Sequence, residues 1–357
     1  MIKNLPWFSV QWHMTSRCDQ RCNHCYLWNS PDVYQREELH ELPLVDCIRL
    51  IDSVFELCKV AGARPMFYLT GGDPLARPDF FEILSYLHKK SVPTKIMGNS
   101  HKLSHETIRL LRCHGVESYQ LSLDGMENKH DRCRGKGSFK KTVDAIKLLK
   151  KCGMPVVVMY TLSQENACDL AAVFELCCKL EVTTFGFARF SLQVEPDSKR
   201  QVQTEINPHS YRKLLDTLYN KEKQSHERGY KTILSKKDNL WNLYYYERGL
   251  WTPPDNPDNK IHSGCHIGRA SLTVLSDGAV YACRRFESPI GKFPEQSALA
   301  IFTSDSLHEY RNINKFTKCS SCSLLYFCRG CPAISFYKTG NFYGADPQCW
   351  KNECGLN

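Results

Sequence analysis

The sequence predicts an α/β fold: a partial (β/α)6, TIM-like barrel of parallel strands followed by a small cysteine-rich domain. Two observations predict it. As far as Phe190, six short apolar, β-rich runs alternate with amphipathic stretches, and alternation of that kind builds βαβ units on a parallel sheet. After Ser263 the chain changes to short segments punctuated by cysteine and glycine, the composition of a domain held by metal.

The strands are expected at Trp7–Met14, Met66–Leu69, Pro93–Met97, Ser118–Leu123, Pro155–Thr161 and Thr184–Phe190. Helices are expected between them at Leu44–Val60, Asp79–Lys89, Ser104–His114, Ser138–Lys151 and Ala167–Leu180. In the first helix Ile48, Ile51, Val54 and Phe55 fall on one face. Six strands are too few to close an eight-stranded barrel, so the sheet should stay open. The division that follows is 1–190 for the barrel, 191–262 for a connector and 263–357 for the small domain. The connector is polar and basic, with one helical stretch at His209–His226 and a turn-rich run at Thr252–Lys260.

The bulk numbers are those of a globular protein: 357 residues, 42% hydrophobic and 24% charged, long enough for a substantial core. The formal charge of +9 counts every cysteine as neutral, and metal-bound thiolates would cancel part of it. No Lys/Arg run is interleaved with aromatics, so no nucleic-acid partner is expected. No stretch approaches the roughly 18 apolar residues that cross a bilayer, and no membrane partner is expected. Met1–Trp12 lacks the apolar core and cleavage site of a secretory signal. The expected location is cytoplasmic, where the 19 cysteines stay reduced and point to metal or redox chemistry.

The first expected strand runs into Cys18-x3-Cys22-x2-Cys25. Positions i, i+4 and i+7 share a helix face, yet Asp19, Gln20, Arg21 and Asn23 leave the thiols no apolar stripe. A zinc site completed by His13 or His24 is a second reading, with a spacing unusual for zinc knuckles. A third is a [4Fe–4S] cube, which suits short-spaced thiolates on one loop; three cysteines would ligate three irons and leave the fourth open.

The third reading carries a resemblance. Cys-x3-Cys-x-(aromatic)-Cys after the first strand resembles the signature of the radical S-adenosylmethionine superfamily, with His24 in the aromatic slot. The resemblance implies that S-adenosylmethionine chelates the open iron through its amino and carboxylate groups, and that an electron, from a flavodoxin or ferredoxin-type donor, splits it to a 5′-deoxyadenosyl radical. Further motifs stand in the family's order. Gly71-Gly72-Asp73-Pro74 follows the second strand, with Asp73 one methylene shorter than the family's Glu; the resemblance implies that the glycines let the backbone approach the ligand and that the carboxylate binds the methionine ammonium. Ser122-Leu-Asp124-Gly125 ends the fourth strand and leads to His130-Asp-Arg-Cys-Arg134-Gly-Lys-Gly-Ser138-Phe139, similar to peptide- and protein-modifying members. By this resemblance Ser122, Asp124 and Arg134 contact the cofactor, Arg134 facing its carboxylate, and Asn99 binds its ribose. Two residues have simpler expectations: Ser138 as a helix N-cap, and Arg189 either facing the cavity or pairing with a carboxylate.

Cys265-x12-Gly278-x4-Cys283 precedes Cys319-x2-Cys322-x5-Cys328-x2-Cys331, then Cys349 and Cys354. Two C-x2-C pairs are a common zinc signature, but their separation is short for a zinc ribbon and the thiols outnumber one ion's needs. The pattern resembles the SPASM extension of radical S-adenosylmethionine enzymes, which carries two auxiliary [4Fe–4S] clusters, three clusters in all. Carried over, Cys265, Cys283 and Cys331 would hold auxiliary cluster I and Cys319, Cys322, Cys328 and Cys349 auxiliary cluster II. Cluster I would keep an open iron, or be completed by Cys354 or a non-cysteine group. Cys47, Cys58, Cys113, Cys133, Cys152, Cys168, Cys177 and Cys178 lack ligand spacing and are expected to pack in the interior.

The resemblance favours a maturase that abstracts hydrogen from a ribosomally made precursor peptide and forms a thioether or carbon–carbon cross-link. The alternatives are a sulfatase-maturating enzyme forming formylglycine, and a non-catalytic zinc protein. Arg284 and Arg285 follow Cys283, where sulfatase-maturating relatives carry an Asp base, which argues against the first. With the first cysteine at residue 18, no N-terminal leader-binding domain is expected, and the basic connector and small domain would attract an acidic leader.

Overall fold

The structure is a computed structural model that describes residues 5–29, 40–191, 206–256 and 259–351. In chain order the elements are β1 (Trp7–Thr15), α1 (Leu44–Val60), β2 (Arg64–Gly71), α2 (Phe80–Lys89), β3 (Thr94–Met97), α3 (His105–Cys113), β4 (Val116–Ser122), α4 (Glu127–Arg134), α5 (Ser138–Lys151), β5 (Val156–Leu162), α6 (Leu170–Lys179), β6 (Thr184–Arg189), α7 (Pro208–Glu227), β7 (Ile233–Leu234), α8 (Leu240–Glu247), β8 (Ser271–Val274), β9 (Ala279–Tyr281), β10 (Pro289–Lys292) and α9 (Pro332–Thr339). They gather into two compact units. One is drawn from Met1–Ser122, His130–Val157 and Ile267–Arg311, the other from Leu123–Lys129, Val158–His266 and Asn312–Asn357.

Local sequence accounts for most elements. α1 buries Cys47, Leu50, Ile51, Val54, Leu57 and Cys58, one stripe at helical period. α3 starts at Ser104, whose hydroxyl accepts the Thr107 N–H at 3.1 Å. α7 starts at Asn207, whose side-chain Oδ1 accepts the Ser210 N–H at 2.8 Å, with Pro208 at the first helical position. Ser138 is not the cap of α5. Gly137 occupies that position, and the Asp131 carboxylate accepts the N–H groups of Gly137 at 2.6 Å and Phe139 at 2.8 Å. An ionised acceptor from the preceding helix serves the helix end better than a hydroxyl within it. α4 itself was not expected, because its strongly polar sequence carries no apolar stripe to betray it.

In the first unit the strand order is β10-β9-β8-β1-β2-β3-β4. β1, β2, β3 and β4 run parallel, with Val10 opposite Phe67 and Trp12 opposite Leu69. β8 is parallel to the other side of β1 and continues into the antiparallel β9 and β10. The core of this unit contains Phe8, Trp12, Phe67, Ile83, Ile96 and Leu121, each at most 1% exposed. In the second unit the order is β5-β6-β7, β6 and β7 parallel. Its core is aromatic: Phe174 and Phe185 lie 5.5 Å apart, and Tyr211 meets Trp350 at 6.3 Å. The sheet is open, as six barrel strands require.

Candidate active site

Four parallel strands set the geometry of the first cysteine group. Because β1, β2, β3 and β4 run the same way, the residues after each emerge at one edge of the sheet. Cys18, Cys22 and Cys25 follow β1, Gly71-Gly72-Asp73 ends β2, Asn99 follows β3, and Ser122 ends β4. The Thr15–Arg17 turn lies directly against the glycine pair: the Gly72 N–H donates to Thr15 O at 2.7 Å and the Asp73 N–H to Arg17 O at 2.8 Å. A Cβ on Gly71 would stand 2.2 Å from Thr15 O, and one on Gly72 would stand 2.2 Å from Arg17 O. Gly71 also has φ of +138°, so no other residue fits there.

Asp73 is completely buried. One oxygen accepts the Leu75 N–H at 3.2 Å, while Oδ2 and the nearby Ser16 hydroxyl have no hydrogen-bond partner among the described residues. Burial pushes the Asp73 carboxyl up to about 7, against the opposing pull of the Leu75 N–H. A buried acceptor left open beside a cysteine loop suits a cationic group from a ligand. Burial also pushes the Cys18 thiol up to about 12.

Asn99 donates to Asp19 Oδ1 at 2.7 Å and to Cys18 Sγ at 3.7 Å. Arg134 lies 3.7 Å from Cys22 Sγ and 3.5 Å from His24 Nε2. His24 Nδ1 is 2.6 Å from Cys133 Sγ, and Asn23 bonds the backbone of Arg132 and Cys133. The cysteine loop is thus docked on the C-terminal end of α4. Ser122 is half-buried at the end of β4. In the second unit Asp124 is buried and accepts the Thr161 N–H at 2.7 Å, while its carbonyl accepts from Asn166, a bond set that fixes the turn.

The C-terminal cysteines of the second unit converge. Cys319, Cys322, Cys328 and Cys349 line one cavity together with Lys318, Asp346 and Lys351. A local pattern recurs at several of the cysteines singled out by spacing: sulfur accepts the backbone N–H two residues on, at Cys18 from Gln20, at Cys283 from Arg285, at Cys322 from Leu324 and at Cys328 from Gly330, all at 3.4–3.5 Å. Such donors stabilise a thiolate held by metal. Lys351 adds a cationic donor at 3.3 Å from Cys322. These features fit iron–sulfur clusters. Cys265 and Cys331 belong to the second unit and Cys283 to the first; Cys354 lies outside the described residues.

Residues 12–177 match the family model of the radical SAM superfamily, and residues 265–332 match the iron–sulfur cluster-binding SPASM domain. The chain is a radical SAM enzyme with a SPASM domain. Its cofactors are [4Fe–4S] clusters and S-adenosyl-L-methionine, which sets aside the non-catalytic zinc alternative. This radical SAM/SPASM chain is 26% identical over 345 residues to the AdoMet-dependent heme synthase of Methanosarcina barkeri, covering 95% of each chain. It is 24% identical over 360 residues to the mycofactocin maturase of Mycolicibacterium smegmatis, covering 95% of this chain and 82% of that one. Its fold superposes on SuiB of Streptococcus suis bound to S-adenosylmethionine with a TM-score of 0.74 at 18% identity, over 96% of this chain and 77% of SuiB.

Sequence reasoning left Arg189 between two roles, and the structure decides for carboxylates: its guanidinium is buried against Asp238 and Asp346, each at 2.8 Å. It missed Arg77, a buried guanidinium that donates to Met14 O and Leu42 O at 2.7 Å and to Asp79. Its only signal was an arginine four residues past Asp73 of the glycine–aspartate motif. Two cysteines expected inside, Cys113 and Cys168, are exposed; Cys113 ends α3, away from its apolar stripe, and Cys168 contacts Lys129 beside Asp169. Among the described residues no helix is long and apolar enough to cross a membrane.

Proposed function

We propose that this radical SAM/SPASM enzyme is a peptide maturase that abstracts hydrogen from a residue of a precursor peptide and forms a thioether or carbon–carbon cross-link. Cys18, Cys22 and Cys25 would hold the cluster that binds S-adenosylmethionine, Gly71, Gly72, Asp73, Asn99, Ser122, Asp124 and Arg134 the cofactor itself, and the C-terminal cysteines two auxiliary clusters, in the ligand sets assigned above. Residues 1–190 would be the catalytic barrel, 191–262 the connector and 263–357 the SPASM domain. A cluster held there would supply the electron that splits S-adenosylmethionine. The chain's own part is to receive the ammonium on the open Asp73 oxygen, to set Arg134 beside the cysteine loop, and to hold that loop against β2 through the glycine pair. A flavodoxin or ferredoxin-type protein would deliver the electron.

The observation that carries the peptide reading is a cavity of about 340 Å³ past the end of β5, walled by Gln164, Cys168, Asn207, Ser210, Lys213 and Thr217. Ala167, Ile206 and Leu214 complete the wall, and this mix of apolar and hydrogen-bonding groups suits a short stretch of peptide. The similarity to mycofactocin maturase, over 95% of this chain and 82% of that one, supports the same reading. A second reading, an enzyme acting on an iron porphyrin, is favoured by the more extensive similarity to heme synthase, 26% identical over 95% of each chain. Anaerobically reconstituted protein under strong reductant separates the two. With a peptide encoded by a short cysteine-rich reading frame beside the gene, 5′-deoxyadenosine should form and the peptide should lose a pair of hydrogens per cross-link. An unchanged peptide and an altered porphyrin spectrum would overturn the peptide reading. Replacing Cys18, Cys22 and Cys25 with Ala should abolish 5′-deoxyadenosine formation.

A further inference from the structure

Arg189 ends β6 far along the chain from the last cysteines, yet its guanidinium is only 2% exposed and reaches them. It grips Asp346 with two parallel bonds of 2.8 Å, takes Asp238 at 2.8 Å and Gln348 Oε1 at 2.5 Å. Asp346 is itself a junction. Its Oδ2 accepts the Cys331 N–H at 2.7 Å, its Oδ1 the Gln348 N–H at 2.9 Å, and its carbonyl oxygen the Cys349 N–H at 3.0 Å. It also forms part of the wall of the cavity lined by Cys319, Cys322, Cys328 and Cys349. The other carboxylate leads the same way: Asp238 accepts the Leu240 N–H at 3.0 Å, and the carbonyl of the intervening Asn239 accepts from Cys328 Sγ at 3.2 Å.

We propose that Arg189 and Asp346 are positioning residues shared by both auxiliary clusters, one ion pair that fixes the Cys331 and Cys349 backbones together and sets the local charge. This rests on reading Cys331 as a ligand of cluster I and Cys349 as a ligand of cluster II. Asp346 puts a negative charge into a wall that also carries Lys318, Arg329 and Lys351, and net charge beside a cluster tunes its reduction potential. Removing a negative charge there favours the more negative, reduced cluster, so the potential rises.

The test uses the full chain, reconstituted anaerobically, with iron analysis, electron paramagnetic resonance and redox titration. Asp346→Ala should lower iron from about twelve to about four atoms per chain, the content of one remaining [4Fe–4S] cluster, with S-adenosylmethionine cleavage retained. Asp346→Asn keeps the shape and one acceptor, so it should keep its iron while an auxiliary cluster's potential shifts to more positive values. Should Asp346→Ala fail to fold, the Asp346→Asn potential decides alone. Cys331→Ala and Cys349→Ala should each lose iron; full iron in both would overturn the ligand assignment and the anchor with it. Iron lost in the cysteine variants but full iron and unchanged potentials in the Asp346 variants would overturn the anchor alone.

Discussion

Burial of the Asp73 side chain makes the stability of the fold depend on pH. Its carboxyl is buried with one oxygen open and is pushed from 3.8 up to about 7, chiefly by burial. A folded value above the unfolded one means that the neutral acid favours the fold. The destabilisation is therefore absent below about pH 4, grows as the pH rises towards 7, and is constant above that. In protein without clusters or S-adenosylmethionine, Asp73→Asn should raise the thermal midpoint at pH 8 and leave it nearly unchanged at pH 4, the difference at high pH reflecting on the order of 4 kcal/mol. The same substitution removes the charge that would meet the cofactor's ammonium, so S-adenosylmethionine affinity measured on the loaded enzyme should fall about 10- to 100-fold, the worth of a bond to a charged group. A variant that bound as tightly as the parent would remove Asp73 from the cofactor site.

Between elements, the join of β1 to β2 depends on atoms that have nowhere to move. A Cβ at Gly72 meets the backbone oxygens of Arg17 and Ser16 at 2.2 and 2.7 Å, and both belong to the turn that leads into Cys18. Gly72→Ala should therefore cost several kcal/mol in urea unfolding, with impaired iron uptake; an unchanged midpoint would show that the turn yields. Arg77 ties the same region from the other side, joining Met14 at the end of β1 to Leu42 ahead of α1. Lysine keeps the charge and loses the fork, so Arg77→Lys should destabilise by about 2–4 kcal/mol through unmet buried carbonyls. Arg77 need not touch the cofactor to matter for it.

For the molecule as a whole, folding and cluster assembly are coupled through thiols. Burial pushes Cys18 and Cys319 up to about 12 and also raises the Cys328 thiol well above its ordinary value. Metal binds the thiolate, so loading must displace protons. Iron uptake by the apo chain should strengthen between pH 7 and pH 9, by about tenfold per pH unit for each proton released, followed by absorbance during reconstitution. Uptake that weakened or stayed flat over that range would mean the ligand thiols are already ionised. In the second unit, Arg189 and its two carboxylates join strand β6, helix α8 and the last cysteines into one buried network.

The alternation of apolar runs with amphipathic stretches was enough to place every strand from β1 to β6 within a few residues, because period and local capping are written in neighbouring positions. The cysteine spacings that mark the two matched domains were legible for the same reason: residues on one loop are close in the chain before they are close in space. The polar α4, the Asp131 cap, the Arg77 fork and the choice of partner for Arg189 were not legible. Arg189 and Asp346 are 157 positions apart, and no local pattern announces that they will meet. Short-range order follows from propensity and periodicity, whereas the pairing of distant buried charges exists only once the chain has folded and removed both from water.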